Sequence, residues 1–282
     1  MEHGSDPGAP MMTGSEPLLL DTQHAFDGVA AGYDRSNADN PVLCAMRARA
    51  RRAVKQFVPE GAHILDLGCG PGADDEYLAK EGFRVTAIDW SPAMVDVARR
   101  RVSDAGVWHR VDVKELGIQE LDRLAPEQFD AAYSNFGPLN CVPDLVAAAR
   151  LIAGRLRPGG VLVASVIGRV CPWEIAFYLA RGDWSRAAIR FSRQLVPVPL
   201  DGRTVWTRYY SPREFERMFQ AAGFTRVALR ALGLLVPPPY LQAFAERHRT
   251  LVSGLQRVED TVAAWPGLRA GGDHFLIVLR KA

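Results

Sequence analysis

The sequence predicts an α/β fold in which a doubly wound, mostly parallel sheet carries helices on both faces. The first observation is an apolar run at residues 62–67, too short for a helix, that leads into glycines at positions 68, 70 and 72. A helical pattern begins immediately afterwards, at Ala73. The second observation is that apolar runs and helical patterns then alternate, which gives parallel strands when the crossovers are right-handed.

The elements follow in order along the chain. Strands are predicted at residues 62–67, 84–89, 107–111, 129–134 and 160–167, and helices between them at residues 73–81, 92–104 and 142–156. Residues 24–55 also show helical spacing, with Pro41 well placed near the start of a second helix. The ligand crevice of such a sheet lies at the carboxyl ends of the strands, beside the first strand, where the strand order reverses.

The glycine turn indicates a nucleotide site, because glycines allow positive φ and close approach of a ligand to the backbone. Asp89 ends the second apolar run, where a carboxylate can accept hydrogen bonds from both hydroxyls of a ribose. The dinucleotide pattern G-x-G-x-x-G and the Walker pattern with G-K-[ST] are both absent from the turn. Asp66, two residues before the first glycine, is a poor neighbour for a pyrophosphate and a good one for a cation.

Residues 63–72 (HILDLGCGPG) resemble the first motif of the class I S-adenosylmethionine-dependent methyltransferases. The later motifs of that family are resembled in order by residues 89–94, 110–113, 129–135 and 156–161, with a weaker echo at residues 210–224. The resemblance implies a Rossmann-like sheet of seven strands, whose antiparallel edge pair would lie at about residues 226–234 and 274–280. It also implies an N-terminal helical cap at residues 24–58.

The resemblance further implies S-adenosylmethionine as the cofactor and a distribution of its binding residues. Gly68, Gly70 and Gly72 would lie against the methionine portion, with Asp66 near its ammonium group. Asp89 would hold the ribose, Trp90 and Met94 would flank the ribose or the adenine, and Asp112 with Val113 would contact the adenine edge. The other candidates are Tyr33 and Arg47 in the cap, Cys69 in the glycine loop, and Ser134 and Asn135 after the fourth strand.

Some of these residues have a simpler interpretation. Tyr33 and Arg47 could be helix-surface or core residues, Asp112 a surface turn residue, and Cys69 a small side chain that fits a cramped turn rather than a reactive thiol. No dedicated catalytic constellation is required, because methyl transfer depends mainly on positioning. Glu174 and His274 are the candidate proton acceptors, although a histidine at the start of an edge strand is more often structural.

Two stretches exceed the minimal fold, at residues 168–208 and 236–272, and are predicted as a lid over the acceptor. The first interleaves aromatic residues with arginines, which favours a small, partly apolar acceptor that can bear an acidic group. Extra packing layers, a solvated basic face and a face that touches a membrane surface are the alternatives.

Composition limits the remaining choices. A chain of 282 residues with 48% hydrophobic residues fits a single domain at residues 24–282, preceded by a disordered leader at residues 1–23. The net charge of +2 gives no bulk attraction to nucleic acid, and the four cysteines lack metal-ligand spacing. A cytoplasmic monomer or homodimer without a membrane span or a metal is expected. The predicted function is methyl transfer to a small molecule; the alternatives are an RNA or protein methyltransferase and a non-catalytic S-adenosylmethionine-binding protein.

Overall fold

Seven strands form the central sheet of the computed structural model, which describes residues 16–33, 39–125 and 127–282. The strands are β1 (His63–Leu67), β2 (Arg84–Asp89), β3 (Val111–Glu115), β4 (Phe129–Ser134), β5 (Leu156–Ile167), β8 (Phe224–Leu232) and β9 (His274–Lys281), while β6 (Val196–Leu200) and β7 (Arg203–Thr207) form a separate hairpin. Their spatial order is β3-β2-β1-β4-β5-β9-β8. β1 to β5 are parallel, and β9 is antiparallel to both β5 and β8. The predicted Rossmann-like sheet is therefore confirmed.

Several helices have starts that the local sequence specifies. The helices are α1 (Glu16–Val29), α2 (Pro41–Phe57), α3 (Ala73–Lys80), α4 (Pro92–Asp104), α5 (Leu145–Arg155), α6 (Pro172–Leu179), α7 (Trp184–Ala188), α8 (Pro212–Gln220), α9 (Gln242–Arg247) and α10 (Arg249–Val262). In α2, α4 and α8 a proline follows an N-cap side chain, from Asn40, Ser91 and Ser211, that accepts a hydrogen bond from the first turn. Both devices satisfy or remove amide groups that a helix start leaves without partners.

The two faces of the sheet bury separate cores. Ile64 of β1 packs with α2, α3 and α4, whereas Leu65 and Leu67 pack on the opposite face with α5 and α8. All five residues of β1 are buried, as expected for a central parallel strand. Since side chains alternate along a strand, Asp66 lies on the same face as Ile64, towards α2 and α3.

Several predicted boundaries are wrong, among them the start of β5, which lies at Leu156 rather than at residue 160. β3 begins at Val111, four residues after the predicted start of the strand, because Gly106 ends α4 at positive φ and the Val107 amide donates to the Val102 carbonyl. Residues 107–110 are consequently a connection. At the other end, α1 begins at Glu16, so residues 16–23 are helical rather than part of a disordered leader. Residues 1–15 lie outside the described residues.

The two stretches that exceed the minimal fold, residues 168–208 and 236–272, form separate groups of elements. The first contains α6, α7 and the β6–β7 hairpin, and the second contains α9 and α10. Arg49 of α2 holds α10 through an ion pair with Asp260 at 2.7 Å. Among the described residues, no helix combines the length and the apolar character needed to cross a membrane.

Candidate active site

A cavity of about 320 Å³ opens at the carboxyl ends of β1, β2, β4 and β5. α1 and the β6–β7 hairpin contribute its outer walls. The predicted cofactor residues that line it are Tyr33, Arg47, Asp66, Gly68, Cys69, Gly70, Asp89, Trp90, Met94 and Asn135. Most of the predicted cofactor pocket is thus brought together around one space, while Gly72, Asp112, Val113 and Ser134 lie outside its lining.

Each of the three loop positions requires glycine for a different structural reason. All three have positive φ, at 84° for Gly68, 54° for Gly70 and 77° for Gly72. A Cβ on Gly68 would lie 2.5 Å from Pro138, and one on Gly72 would lie 3.0 Å from Ala98 of α4, whereas one on Gly70 would meet nothing within 4 Å. Gly72 therefore allows α3 and α4 to pack, contrary to its predicted position against the methionine portion. Gly70 leaves open space at the cavity.

Asp89 has a fixed carboxylate at the end of β2. Oδ2 accepts a hydrogen bond from the Gly70 amide at 2.8 Å, and Oδ1 accepts one from the Ser91 amide at 2.9 Å. Burial raises the pKa of Asp89, against the opposing effect of these amide donors. Each carboxylate oxygen can accept more than one hydrogen bond, so both can still receive a hydroxyl from the cavity.

Helix α1 is bonded to the loop after β2. Gln23 Nε2 donates to the Trp90 carbonyl at 2.7 Å, and Ser91 Oγ donates to Asp27 Oδ1 at 2.5 Å. Ser91 Oγ also accepts from the Met94 amide at 3.1 Å, which fixes the start of α4. Gln23 and Asp27 were not predicted as site residues, because their partners lie more than 60 positions away in the sequence.

Carboxylates crowd the other side of the glycine loop. Asp74 is neutralised by Arg51, at 2.6 Å, and accepts a hydrogen bond from Asn135 at 3.0 Å. Asp66 and Asp75 are buried beside it, and burial together with the charge of Asp75 raises the pKa of Asp66 well above its usual range. Within the described parts of the chain, no group of His, Cys, Asp and Glu side chains is arranged to hold a metal ion.

Cys69 is a packing residue of this loop. Burial and the nearby carboxylates raise the pKa of its thiol well above the usual range, which leaves it protonated and unreactive. Its backbone amide, like that of Gly68, donates to the Ile88 carbonyl at 2.9 Å. This is the simpler of the two interpretations of Cys69, although the residue does line the cavity.

The predicted adenine contacts are misplaced. Asp112 lies opposite Thr86 in the middle of β3, exposed and paired with Lys114 at 2.6 Å, and Val113 is buried in the core. Because β3 begins four residues late, its carboxyl end presents Leu116, Ile118 and Gln119 to the cavity instead. The signal for them is Gly117, whose amide donates a hydrogen bond to the Glu120 carboxylate at 3.0 Å as a helix-start contact.

Phe136 has an unusual conformation at the end of β4. Its φ of 61° is rare for a bulky residue and marks strain, which clusters at functional sites. The ring lines the cavity, with the Arg47 guanidinium 5.2 Å from its centroid on one side and the His274 ring 5.9 Å away on another. Ser134, by contrast, is fully buried and donates to the Leu67 carbonyl at 3.0 Å, so it supports β1 rather than lining the site.

Glu174 does not reach the cavity, contrary to its prediction as a proton acceptor. Both of its oxygens accept hydrogen bonds from Arg190 at 2.7 Å, and Oε2 also accepts one from Tyr240 at 3.0 Å. Arg190 also donates to Asp273 Oδ1 at 2.7 Å and to the carbonyls of Gly168 and Asp273. A carboxylate enclosed in this way stabilises the packing of α6 near the start of β9 and is not available for catalysis.

His274 lies next to the cavity but behind Phe136. Its Nδ1 is 2.9 Å from Asp273 Oδ2, and Nε2 is buried with no hydrogen-bond partner among the described residues. Burial opposes ionisation of Asp273, but the charges of Arg190 and His274 outweigh it and hold the pKa of Asp273 below its usual range. In the neutral form of the imidazole, the contact between Nδ1 and this carboxylate favours the tautomer with a proton on Nδ1 and a lone pair on Nε2.

The first extra stretch reaches the cavity through its hairpin. Residues Val198, Pro199, Leu200, Val205 and Thr207 line the space. Its aromatic and basic helices do not: Trp173 donates to the Leu235 carbonyl at 2.8 Å, Arg181 lies over Phe177, and Trp184 is exposed. No residue of the second stretch lines the cavity. Of the two stretches predicted as an acceptor lid, only the hairpin of the first therefore lines the cavity.

Comparisons with known proteins agree with this geometry. Residues 64–160 match a family model described as "Methyltransferase domain". The ubiquinone biosynthesis O-methyltransferase of Xanthomonas axonopodis pv. citri (strain 306) is 36% identical over 151 residues, which cover 52% of this chain. The chain spans about 59% of the length of that relative.

Solved structures share the fold at low sequence identity. The Burkholderia thailandensis 1,6-didemethyltoxoflavin-N1-methyltransferase, solved with its substrate and S-adenosylhomocysteine, has a TM-score of 0.60 at 18% identity, covering 98% of this chain and 94% of its own. The 4+2 cyclase SpnF has a TM-score of 0.62 at 18% identity, covering 98% of this chain and 97% of its own. The fold alone therefore leaves the reaction open.

The motif residues, the order of the strands and the match over residues 64–160 point to one family. Gly70 and Asp89 meet at the cavity as the first two motifs require. Residues 64–160 of this chain match a methyltransferase domain, and its fold and motif residues are similar to those of the class I S-adenosylmethionine-dependent methyltransferases.

Proposed function

We propose that this protein transfers a methyl group from S-adenosylmethionine to a small, largely apolar molecule. The observation that carries the proposal is a single continuous cavity, which runs from Gly70 and Asp89 to the space under α1 and the β6–β7 hairpin. One end has the polar groups that a nucleotide needs. The other end is enclosed by apolar side chains, which favours a small acceptor over a macromolecule.

The donor end suits S-adenosylmethionine in charge and in shape. Asp66 offers a carboxylate for the ammonium group, Arg47 a positive charge for the methionine carboxylate, and Asp89 two acceptors for the ribose hydroxyls. Leu116 and Ile118 offer apolar walls for the adenine, and Gln119 an amide for its edge. When bound, S-adenosylmethionine supplies a methyl group already activated by its positive sulfur, so the residues of the chain need mainly to position the acceptor.

The acceptor end lacks charge. The charged side chains that line the cavity, Arg47, Asp66, Asp74 and Asp89, all lie at the donor end. The opposite walls come from Leu19 and Phe26 of α1, from Val198, Leu200 and Val205 of the hairpin, and from Ile167 at the end of β5. We therefore propose a neutral acceptor and withdraw the acidic group, since the arginines that motivated it do not line the space.

His274 is the proposed proton acceptor where the methylated atom is a hydroxyl oxygen, as the names of the curated relatives indicate for those proteins. Asp273 holds its imidazole as a positioning residue, and Nε2 has an unused lone pair. Displacement of the strained Phe136 ring would connect Nε2 to the cavity. The acceptor proton would pass to Nε2 as the methyl group is transferred to its oxygen.

Incubation of the protein with S-adenosylmethionine labelled in its methyl group, in a cell extract, tests the proposal. We expect label in the small-molecule fraction, and its loss with Asp89→Ala. Label in RNA or protein would indicate a macromolecular methyltransferase. Absence of label in every fraction, alongside normal S-adenosylhomocysteine binding, would indicate a binding protein or another reaction on this fold.

A further inference from the structure

Asp75 of α3 is a fully buried carboxyl whose polar neighbours are the Asp66 carboxyl and the Cys69 thiol rather than cations or amides. Neither of its oxygens accepts a hydrogen bond from an N–H or O–H group of the described residues, although its relative exposure is 0%. An isolated buried carboxylate is strongly unfavourable. Its close polar neighbour is Asp66, whose carboxyl lines the cavity and which can share a proton with it.

The charges around Asp75 do not compensate it. The groups that face it are Asp66 of β1, Cys69 of the glycine loop, Asp89 of β2 and Asp74 of its own helix. The nearby cations Arg47 and Arg51 of α2 are directed to Asp74, and Arg101 of α4 is directed to Glu76 and the Pro71 carbonyl. The Tyr133 hydroxyl of β4 is fully buried, and burial raises its pKa well above the usual range.

Two adjacent carboxyls in a dry site cannot both ionise at ordinary cost. Burial raises the pKa of Asp75 to about 7, and burial together with Asp75 raises the pKa of Asp66. The pair consequently titrates as a unit and keeps one proton near neutral pH. A cation arriving from the cavity would change this balance, because it favours the fully ionised pair.

We propose that Asp66 and Asp75 form a proton-sharing pair that receives the ammonium group of the donor, and that the shared proton is released to solvent when the donor binds. The inference rests on the proposed function and adds Asp75 as a positioning residue. The ammonium group keeps its three protons, and the pair loses one. Donor affinity therefore rises with pH through the range in which the empty pair titrates.

Calorimetry of S-adenosylhomocysteine binding in phosphate and in Tris measures the released proton, because the two buffers differ in ionisation enthalpy. We expect release of about one proton near neutral pH, and affinity that falls ~10-fold for each unit by which the pH is lowered while the empty pair holds that proton. The control ligand is 5′-methylthioadenosine, which has no ammonium group and should release no proton. Equal heats for S-adenosylhomocysteine in both buffers would overturn the proposal.

Asp75→Asn removes one carboxyl of the pair, while the amide keeps the shape of the side chain and can donate a hydrogen bond to Asp66. We expect proton release to disappear and affinity at pH 6 to approach the value at pH 8. The matched control is Glu76→Gln, which removes a charge from the outer side of the same helix and should release protons as the wild type does. Unchanged proton release by Asp75→Asn would overturn the proposal that Asp66 and Asp75 share a proton. No S-adenosylhomocysteine binding by the wild type would instead contradict the proposed function.

Discussion

Gly72 and Gly61 show how single residues of similar backbone conformation differ in what they support. Both have positive φ, at 77° and 72°. A Cβ on Gly61 would meet nothing within 4 Å, whereas one on Gly72 would press on Ala98 at 3.0 Å, where α3 and α4 meet. A substitution at Gly61 therefore tests backbone strain alone, whereas one at Gly72 tests backbone strain together with helix packing. Neither glycine lines the cavity.

We predict that Gly72→Ala destabilises the protein more than Gly61→Ala. Both variants strain the backbone by ~1 to 2 kcal/mol, and Gly72→Ala adds overpacking of ~1 to 3 kcal/mol. Denaturant unfolding of the two variants measures the difference. Equal losses of stability would show that α4 can move away from α3 without cost.

We predict that His274→Asn lowers turnover of a hydroxyl acceptor by ~10²- to 10⁴-fold, the usual contribution of a general base. S-adenosylhomocysteine affinity should stay the same, because His274 does not line the cavity. The residual rate should rise with pH as the acceptor ionises without help. His63→Asn is the control, since this buried histidine bonds to Thr86 and lies outside the cavity lining. Turnover by His274→Asn at the wild-type rate would exclude the proposed role.

The sequence predicts those site residues whose contacts are local. Gly70 and Asp89 follow from a turn and from the end of the next strand, and the structure joins them by one hydrogen bond. Asp112 lies outside the cavity lining because the predicted strand was four residues early, and the carboxyl end of β3 presents Leu116 and Ile118 to the cavity instead. Phe136 and Asp75 could not be predicted, since strain and burial without a partner depend on the packing of distant elements.

Among the elements, α1 and the β6–β7 hairpin form one wall of the cavity. Thr22 Oγ1 accepts a hydrogen bond from the Trp206 amide at 3.0 Å, and Asp21 accepts one from the Trp206 ring nitrogen at 3.1 Å. α1 also bonds to the loop after β2 through Gln23. One helix thereby joins the donor end of the site to the acceptor end. Neither contact leaves a pattern in the sequence, because 184 positions separate Thr22 from Trp206.

We predict that Thr22→Val loosens the hairpin while leaving α1 in place. The partly buried Trp206 amide would lose its acceptor, at a cost of ~1 kcal/mol. Hydrogen exchange across residues 196–207 should become faster by a matching factor. Thr22→Ser is the control, since it keeps the hydroxyl oxygen. Unchanged exchange in Thr22→Val would mean that other contacts hold the hairpin closed.

The buried ion pairs of Arg190 connect α6, the end of β5 and the start of β9. We predict that Arg190→Met destabilises the fold by ~3 to 5 kcal/mol, because Glu174 and Asp273 would remain buried without a cation. Arg193→Met, at an exposed neighbouring position, should have little effect. Thermal unfolding of both variants measures this, and equal stability would show that water replaces the guanidinium at no cost.

The ion pair between Arg190 and Asp273 also predicts how the unfolding free energy changes with pH. The depressed pKa of Asp273 contributes stability that is complete above the unfolded value of about 4 and is lost as the pH falls towards the folded value. Arg190→Met should remove this contribution. Its unfolding free energy should therefore fall less steeply than that of the wild type in acid, and parallel curves would contradict the assignment.

In the proposed function, the whole molecule has a nucleotide end set by the first three strands and an acceptor end set by α1 and the hairpin. The sheet follows from the sequence because each strand and helix has its own periodic pattern. The acceptor wall does not, because it is assembled from segments far apart in the chain. The nucleotide end is consequently centred on Asp89, whose two carboxylate oxygens are held by the Gly70 and Ser91 amides.

Calorimetry with S-adenosylhomocysteine, for the wild type and for Asp89→Ala, tests this statement most directly. We predict binding by the wild type and a loss of ~1 to 3 kcal/mol in the variant, because the ribose hydroxyls lose a charged acceptor. NAD serves as the competing nucleotide. Binding of NAD without binding of S-adenosylhomocysteine, or equal affinity of both proteins for S-adenosylhomocysteine, would contradict the account.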